Sequence, residues 1–233
     1  MAQKLGLALS LPTVKPLGGW TPARESSLVC WFQKAVGVTA SGSAPYGVSQ
    51  WNDQSTNANH LVQATLGHQP TYTSTPGITK GTITFDGTDD NLDFTSQISI
   101  SDDFTMAFRM NITTTGRTLF ADNSIANEWM KTVSTTTMRF KIGGSVVNLS
   151  LGGSDVWGDD YVVFTRSSNV ISTWWNGVLQ TDTETLSGTV EIDNFGVRLT
   201  DTNPFAGWVR EIQLYDSSSA ELTADVINSI KNL

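Results

Sequence analysis

Short runs of alternating apolar and polar residues, separated by turn-forming residues, restrict the fold of this chain more than any other feature. The clearest run is ISTWWNGVLQT, in which Asn176-Gly177 supplies the positive φ angles of a tight hairpin turn. The preceding stretch, YVVFTRSSNVISTWW, predicts a second turn at Ser167-Ser168-Asn169 and hence a three-strand meander. Because neighbouring side chains of a strand point to opposite faces, we expect Trp174 and Trp175 to lie on opposite faces of their strand.

Ten runs of this type follow one another at short spacing, which predicts an all-β fold, an antiparallel sandwich or barrel. They read GTITFDG, NLDFTS, FTMAFRMNI, TLFAD, TMRFKI, YVVFTRS, VISTWW, VLQTDT, NFGVRLT and WVREIQLYD. The last stretch, SSSAELTADVINSIKNL, is different, because a serine cap precedes Glu221 and apolar residues recur at helical spacing. It predicts one short C-terminal helix.

Residues 1 to 27 are expected to form an extended N-terminal arm, followed by one domain over residues 28 to 233. Three prolines in this stretch discourage a helix. Leucines alternate with smaller residues, which places four apolar side chains on one face of an extended segment. Such an arm can add a strand to the sheet edge of a neighbouring chain. We therefore predict these partner-binding residues: Leu5, Leu7, Leu9 and Leu11.

Composition excludes some partners. The formal net charge is −8 and the pI is near 4.6, which disfavours nucleic acids and anionic membranes, because both are bound mainly through Lys and Arg. No apolar run approaches the roughly 20 residues that span a bilayer. The single cysteine, Cys30, excludes an internal disulfide and is expected to be a small buried residue.

A polar stretch, VSQWNDQSTNANHLVQ, allows two interpretations. Trp51 is expected to cover the core, while the polar side chains bond the backbone within a compact loop. Alternatively, they line a sugar site, which would need an exposed aromatic side chain beside them. The loop interpretation is favoured. The polar side chains in question are Asn52, Asp53, Ser55, Asn57 and Asn59, and the candidate aromatics are Trp20, Trp129, Trp157, Trp174 and Trp208.

A second polar stretch, FDGTDDNLDF, gathers oxygen ligands of the kind that calcium prefers. These residues are Asp86, Asp89, Asp90, Asn91 and Asp93. The same residues are also ordinary turn formers, whose side chains bond backbone amides. The turn interpretation is favoured, and we predict no metal ion and no other cofactor.

The order of these segments resembles a known family. SLVCWFQKA, the polar stretch at 48 to 63, GTITFDGTDDNLDF, the WWNGV hairpin and the closing FAGWVREIQLYD segment are similar to a concanavalin A-like, laminin-G-type jelly-roll domain of the kind found in bacteriophage virion proteins and bacterial surface proteins. The resemblance covers residues 28 to 233. It implies a sandwich of two curved antiparallel sheets, but it does not imply an activity.

Catalysis is not expected. Glucanases of this fold carry the strand motif E-x-D-x-x-E, whose carboxylates act in pairs. Here EIDNFG offers Glu191 and Asp193, but the third position is Gly196. The two histidines, His60 and His68, lie in turn-rich segments without a recognisable nucleophile motif and are expected to be structural or surface residues. We predict that the protein is not an enzyme.

Two hypotheses for the function remain. The first is a non-enzymatic structural protein of a phage particle, a capsid decoration protein or a head- or tail-fibre component. It would be located in the virion, anchored through its arm to other virion proteins, and homo-oligomeric, with a trimer as one form. The second is a carbohydrate-binding module or adhesin that recognises a host surface glycan. An exposed aromatic residue with converging amides would favour the second hypothesis.

Overall fold

A computed structural model describes residues 19–34, 36–42, 45–73, 81–124, 129–152, 158–198 and 203–232. The four predicted arm residues, Leu5, Leu7, Leu9 and Leu11, lie outside the described residues. So do Trp157 and the side chain of Trp129. The partner-binding arm and the division into arm and domain therefore stay predictions.

The described residues form 17 strands and one α-helix, α1, which confirms the predicted all-β class with one short C-terminal helix. The strands are β1 (Leu28–Phe32), β2 (Val38–Ser41), β3 (Tyr46–Trp51), β4 (Leu61–Val62), β5 (Thr71–Thr73), β6 (Thr82–Asp86), β7 (Leu92–Ile100), β8 (Phe104–Ile112), β9 (Thr118–Ala121), β10 (Trp129–Ser134), β11 (Thr137–Ile142), β12 (Ser145–Ser150), β13 (Asp160–Ser167), β14 (Val170–Trp175), β15 (Val178–Thr185), β16 (Val190–Phe195) and β17 (Ala206–Tyr215), and α1 is Ala220–Lys231. Two 3-10 turns lie at Pro22–Arg24 and Leu66–His68.

All strand pairs are antiparallel, and they form two runs. In the first run, β1 and β6 share one edge of β17, which is followed by β8, β13, β14 and β15. The second run is β4, β7, β16, β9, β10, β11 and β12. Strands β3 and β5 join the runs, because β5 pairs with β6 and β3 pairs with β4. The sheet thus curls back on itself and is nearly closed, whereas the finer jelly-roll assignment stays a prediction.

The interior is filled by aromatic rings that meet between the two runs. Phe85 on β6 lies 5.3 Å from Phe195 on β16, measured between ring centroids. The rings of Phe140 on β11 and Phe164 on β13 are 5.1 Å apart. These edge-to-face contacts stabilise the fold beyond the area that each ring buries. Cys30 is fully buried in the same core, as the sequence predicts.

The two predicted turns of the meander are confirmed. Asn176 and Gly177 have φ angles of +49° and +82°, and the first turn places Ser168 and Asn169 at +50° and +68°. Positive φ at both central residues matches the twist of the flanking strands. The adjacent tryptophans also separate as expected: Trp175 packs in the interior core, and Trp174 packs against a cluster on the outer face.

One predicted strand is misplaced. The run NFGVRLT was expected to be a strand, but β16 ends at Phe195, in the first two residues of that run. Gly196 has a φ of +104°, and a Cβ there would lie 3.1 Å from the Asp90 carbonyl oxygen. The backbone turns at this glycine because only glycine adopts that conformation without strain. The strand is instead VEIDNF, which overlaps the predicted run only in its last two residues.

Helix α1 covers the outer face of β8, β13 and β17. Leu222, Val226 and Ile230 pack there against a cluster that includes Tyr215. The Ser219 side chain caps the helix by accepting a hydrogen bond from the Leu222 amide at 3.0 Å, as predicted. At the other end, Arg109 Nη1 donates to the carbonyls of Ile230 and Lys231 at 3.0 Å. Side chains therefore bond backbone groups at both ends of the helix.

No helix among the described residues has the length and apolar character needed to cross a membrane.

Glu211 is fully buried beside this helix. Its Oε1 accepts hydrogen bonds from Trp31 Nε1 at 2.9 Å and Gln213 Nε2 at 2.5 Å. Its Oε2 has no hydrogen-bond partner among the residues that the structure describes. Burial raises the pKa of Glu211 to about 7, against the weaker opposing effects of these two hydrogen bonds and of Lys34 and Arg109.

This raised pKa predicts that stability falls with pH. The contribution is complete below the ordinary glutamate pKa of 4.5 and is lost as the pH rises through about 7, because the buried carboxylate must then ionise. Replacing Glu211 with Gln removes the ionisation. We expect Glu211→Gln to be more stable than the wild type by about 3 kcal/mol at pH 8, with little difference at pH 4.5.

Urea denaturation at both pH values measures this effect, with Glu184→Gln on β15 as the matched control. The stability of Glu211→Gln should still fall somewhat as the pH rises, because burial also raises the pKa of Asp90 to about 6. Equal pH slopes in Glu211→Gln and wild type would show that Glu211 is not the source.

Candidate functional site

The polar loop after β3 covers an unpaired strand edge. Strand β1 pairs with β17 on one side only, and the loop lies along its other side. Asp53 Oδ1 accepts the amides of Trp31 and Ser55, both at 2.8 Å. Asp53 Oδ2 accepts the amide of Asn59 at 3.0 Å, and the Gln54 amide donates to the Trp31 carbonyl at 2.7 Å. One buried carboxylate thus ties the loop to the edge of β1.

The amides of the loop complete this edge. Asn57 Nδ2 donates to the carbonyls of Leu28 and Val29 at 2.8 and 3.0 Å, and Asn59 Nδ2 donates to Val29 at 3.0 Å. His60 Nδ1 accepts the Asp53 amide at 3.2 Å. Trp51, just before the loop, is fully buried, as predicted. These bonds confirm the loop interpretation and a structural role for His60.

Removing the Asp53 carboxylate should therefore be costly. Asp53→Ala leaves the amides of Trp31, Ser55 and Asn59 without their acceptor, and each orphaned, partly buried donor carries a penalty. We expect the free energy of unfolding to fall by about 3 kcal/mol, measured by chemical denaturation. Thr56→Ala, at an exposed position of the same loop, is the control. Equal losses in the two variants would contradict this assignment.

A polar cleft of about 580 Å³ lies between this loop, the Pro22–Arg24 turn and β7. The described residues that line it include no aromatic side chain. The amides of Asn57 and Asn59 are engaged by β1, and the Glu25 carboxylate accepts a hydrogen bond from Ser27 Oγ at 3.1 Å. The cleft therefore lacks the aromatic and amide combination expected of a sugar site.

A second groove, of about 370 Å³, has that combination. It lies between the indole of Trp20 and one stripe of α1. The stripe consists of Asp225, Asn228, Ser229 and Asn232, at positions i, i+3, i+4 and i+7, which share one face of a helix. Because the apolar positions of α1 face the sheet, this polar stripe is turned toward the groove. We call this site the Trp20 groove.

Both walls of the Trp20 groove are anchored. Just after Trp20, the Pro22–Arg24 turn is held by Arg24 Nη1, which donates to the Gly19 carbonyl at 3.3 Å. The Trp20 ring lies 6.4 Å from the ring of Tyr215, measured between centroids. On the helix wall, Ser229 Oγ accepts a hydrogen bond from Gln213 Nε2 at 3.3 Å. The helix wall is therefore bonded to Gln213, one of the two side chains that donate to Glu211.

The chemistry of the Trp20 groove suits a ring with one apolar face and several hydroxyls. The half-buried indole offers a flat apolar surface. Asn228 and Asn232 are exposed and carry side-chain amides, and Asn232 Nδ2 donates to the Asn228 carbonyl at 2.7 Å. Asn228 therefore supplies the amide donor, Ser229 adds a hydroxyl, and Asp225 adds an acceptor. Asp225 is the one carboxylate among the described residues that line the groove, whereas glycoside hydrolysis uses a pair.

The other candidate tryptophans are placed differently. The guanidinium of Arg210 lies over the Trp208 ring, 4.4 Å from its centroid. Trp174 packs against the cluster beneath α1, as Trp20 does, but Trp174 does not line the groove. Trp20 is thus the candidate aromatic that lies in a groove with polar side chains. The sequence named Trp20 but missed its partners, although the spacing of Asp225, Asn228, Ser229 and Asn232 was the available signal.

The predicted oxygen ligands divide into two groups. Carboxylate oxygens of Asp86, Asp89 and Asp90 lie within 4.8 Å of one another. Asp90 Oδ2 accepts the Asp86 amide at 2.8 Å, and its pKa is raised by burial. Asn91 and Asp93 instead accept hydrogen bonds from Asn194 Nδ2, at 3.3 and 2.6 Å. The structure therefore does not bring the five residues together.

Glu191 and Asp193 lie on β16, as the motif comparison assumed. Asp193 Oδ1 accepts the Asn123 amide at 2.7 Å. Burial raises the pKa of Asp193, and the nearby carboxylates of Asp122 and Asp93 act in the same direction. His68 lies at the surface, with Nε2 3.9 Å from an oxygen of Asp89. No finding tests the expectation that the protein is not an enzyme.

No family model and no curated protein matches the chain. Solved structures do. One concerns the cell entry of botulinum neurotoxin type C, described as "dependent upon interaction with two ganglioside molecules". Its TM-score is 0.56 at 15% sequence identity, and the match covers 88% of this chain and 51% of that chain. Another is domain 4 of AbnA, a GH43 extracellular arabinanase from Geobacillus stearothermophilus, in complex with arabinotriose. Its TM-score is 0.56 at 14% identity, covering 78% of this chain and 91% of that chain.

A third similar structure is Trypanosoma rangeli sialidase with 2,3-difluorosialic acid, with a TM-score of 0.54 at 12% identity, covering 95% of this chain and 35% of that chain. The chain spans about half the length of the neurotoxin structure and about a third of the sialidase. At such low identities the likeness shows a shared fold alone, namely an all-β domain found within proteins that act on or bind carbohydrates.

Proposed function

We propose that the protein is a carbohydrate-binding module and that the Trp20 groove is its binding site. The observation that carries this proposal is the indole of Trp20 beside a stripe of amide, hydroxyl and carboxylate side chains on α1. The indole would stack on the C–H face of a sugar ring, and the stripe would bond its hydroxyls. This is the aromatic and amide arrangement that separates the two hypotheses drawn from the sequence.

The groove favours a neutral sugar. Asp225 places a carboxylate in it, and the chain carries a net charge of −8. The acidic chain as a whole disfavours an anionic ligand, whereas the hydroxyls of a neutral sugar can donate to a carboxylate such as that of Asp225. The open shape of the groove suits a few sugar units at a chain end or along a chain.

The structural neighbours support this proposal. The neurotoxin structure concerns ganglioside molecules, the arabinanase domain is in complex with arabinotriose, and the sialidase carries a sialic acid derivative. They also support the finer assignment of the curled sheet as a concanavalin A-like jelly-roll sandwich, which we retain as part of the proposal. The proposal includes no catalytic role.

The phage-particle hypothesis is supported by the sequence alone. Its main element, the alternating leucine arm, lies outside the described residues. The location in a virion, the virion partners and the homo-oligomer are predictions that no finding tests. A glycan-binding domain displayed on a particle would satisfy both hypotheses, so the proposed groove does not depend on where the protein is located.

Replacing Trp20 should weaken glycan binding. We expect Trp20→Ala to weaken the affinity for a neutral oligosaccharide at least about tenfold, a loss of about 1.4 kcal/mol, because the stacking surface is gone. Screening the wild type on a glycan array identifies the ligand, and isothermal titration calorimetry then compares the variants. Trp208→Ala, which removes an equally large half-buried indole outside the groove, is the matched control.

A second variant separates binding from folding. Asn228→Ala removes an exposed amide of the groove and leaves intact both the apolar face of α1 and the hydrogen bond from Asn232 Nδ2 to the Asn228 carbonyl. This variant should also lose affinity while unfolding at the wild-type temperature. If both groove variants bind as the wild type does, the site lies elsewhere and the proposed groove is wrong.

A further inference from the structure

Three polar side chains of β17 lie in a row beneath the Trp20 groove. Glu211, Gln213 and Tyr215 alternate along the strand, so they share one face of it. All three are fully buried. The hydroxyl of Tyr215 donates to Gln213 Oε1 at 2.8 Å, and Gln213 Nε2 donates to Glu211 Oε1 at 2.5 Å. We call these three residues the Glu211 row, a hydrogen-bonded chain that ends at a carboxyl group.

Gln213 connects the Glu211 row to both walls of the groove. Its Nε2 also donates to Ser229 Oγ on the helix wall at 3.3 Å. Its partner Tyr215 carries the ring that lies beside Trp20 on the other wall, with the centroids 6.4 Å apart. Because the Gln213 amide has two hydrogens, the bonds to Glu211 and Ser229 use both. A turn of this amide toward Glu211 is therefore made at the expense of Ser229.

The protonation state of Glu211 determines whether such a turn is needed. Its Oε2 is buried and has no hydrogen-bond partner among the residues that the structure describes. A protonated carboxyl carries no net charge there, whereas an ionised one places charge on an oxygen without a donor, which is costly. The Gln213 amide and the Tyr215 hydroxyl are the donors of the row. Turning either toward this oxygen breaks a bond that supports a wall of the groove.

Two positive charges act on Glu211. Arg109 is its direct partner on β8, and Lys34 follows β1. Both favour the ionised form, but Arg109 Nε is itself bonded to Asp159 Oδ1 at 2.8 Å. The burial of Glu211 outweighs both charges and raises its pKa to about 7.

The other titratable groups around the row are Tyr215, Glu25 and Asp225. Burial raises the pKa of Tyr215, and the charges of Glu211 and Glu25 raise it further, so its hydroxyl remains a donor. On α1, the row meets the neutral hydroxyl of Ser229, and Asp225, the charged residue of the polar stripe, lies one helical turn before it. Glu211 is therefore the group of this row whose charge changes near neutral pH.

We propose that Glu211 is a positioning residue that makes binding at the Trp20 groove depend on a proton: the walls are held for a sugar while Glu211 is protonated and loosen when it ionises. This inference rests on the proposed function and adds a means of regulation to it. Because the binding arrangement favours the protonated form, affinity should be highest at acidic pH and should fall as the pH rises through about 7.

The ligand-free protein gives the first test, by NMR of the indole N–H groups. Trp31 Nε1 donates to Glu211 Oε1 at 2.9 Å, so its signal reports the ionisation directly. The Trp20 signal should move with the same midpoint, because the Tyr215 ring beside it shifts. In Glu211→Gln both signals should be independent of pH over this range. Spectra of Trp31→Phe and Trp20→Phe assign the two signals.

Calorimetry with the tightest-binding neutral oligosaccharide of the glycan array gives the second test. At about pH 8.5 the wild type should bind at least about fivefold more weakly than at about pH 5.5. Glu211→Gln keeps the acceptor for Trp31 and Gln213 and carries no charge, so it should bind at both pH values as the wild type does at acidic pH. Asp90→Asn is the matched control, since it removes a second buried carboxyl whose pKa is raised, to about 6, and it should keep the wild-type pH dependence.

Gln213→Met separates the ionisation of Glu211 from the groove. The Trp31 signal should still titrate, with a higher midpoint, because the hydrogen bond from Gln213 lowers the pKa of Glu211. The Trp20 signal should no longer follow it, and binding should lose its pH dependence. Thermal unfolding checks the fold of this variant. Where Gln213→Met is too unstable to measure, the comparison of Glu211→Gln with the wild type still decides the question.

Several outcomes would overturn the proposal. Equal wild-type affinities at the two pH values would show that the groove does not depend on the proton. A fall of the same size in Glu211→Gln would assign the pH dependence to another group, such as Asp225 in the groove itself. A Trp20 signal that ignores the Trp31 titration would show that the row does not reach the groove. If no neutral oligosaccharide binds at either pH, the proposed function fails, and the two indole signals still report the link, so the two failures are distinguishable.

Discussion

The covered edge of β1 is the constraint on which the rest of this structure depends. A strand edge with free amides and carbonyls must be paired or capped, and here side chains perform that role: Asp53, Asn57 and Asn59 bond the backbone that a further strand would otherwise bond. Trp31 connects this edge to the outer face, because its amide is held by Asp53 while its indole donates to Glu211. The polar loop is thus a structural element, and its amides are committed to the protein itself.

The position of α1 on the sheet also determines the groove. The helix buries the apolar residues Leu222, Val226 and Ile230 against the sheet, so its polar stripe is turned outward beside Trp20. Ser229 belongs to both environments, since it lines the groove and accepts a hydrogen bond from the buried Gln213. The polar stripe of α1 is held in place by the helix cap and by the hydrogen bond to Gln213. This side of the groove is therefore ordered before a ligand binds, which lowers the entropic cost of binding.

Features that depend on local chemistry could be predicted from the sequence, and those that depend on distant contacts could not. The Asn176-Gly177 turn and the Ser219 cap each follow from a few adjacent residues. The end of β16 depends on a close approach between Gly196 and the backbone near Asp90, which no local pattern encodes. The groove joins Trp20 to a helix about two hundred residues away. Its residues were visible in the sequence, but their proximity was not.

The aromatic interior that separates the two outer faces has a consequence for how this protein would behave on a crowded surface. Rings such as Phe85 and Phe195 interlock across the core, so the two faces are held at a fixed distance and cannot move independently. Under the proposed function, several of these domains held side by side would present rigid grooves to the same polysaccharide. A chain held in one groove would meet the next at a raised effective concentration, so its avidity would exceed the affinity of a single groove.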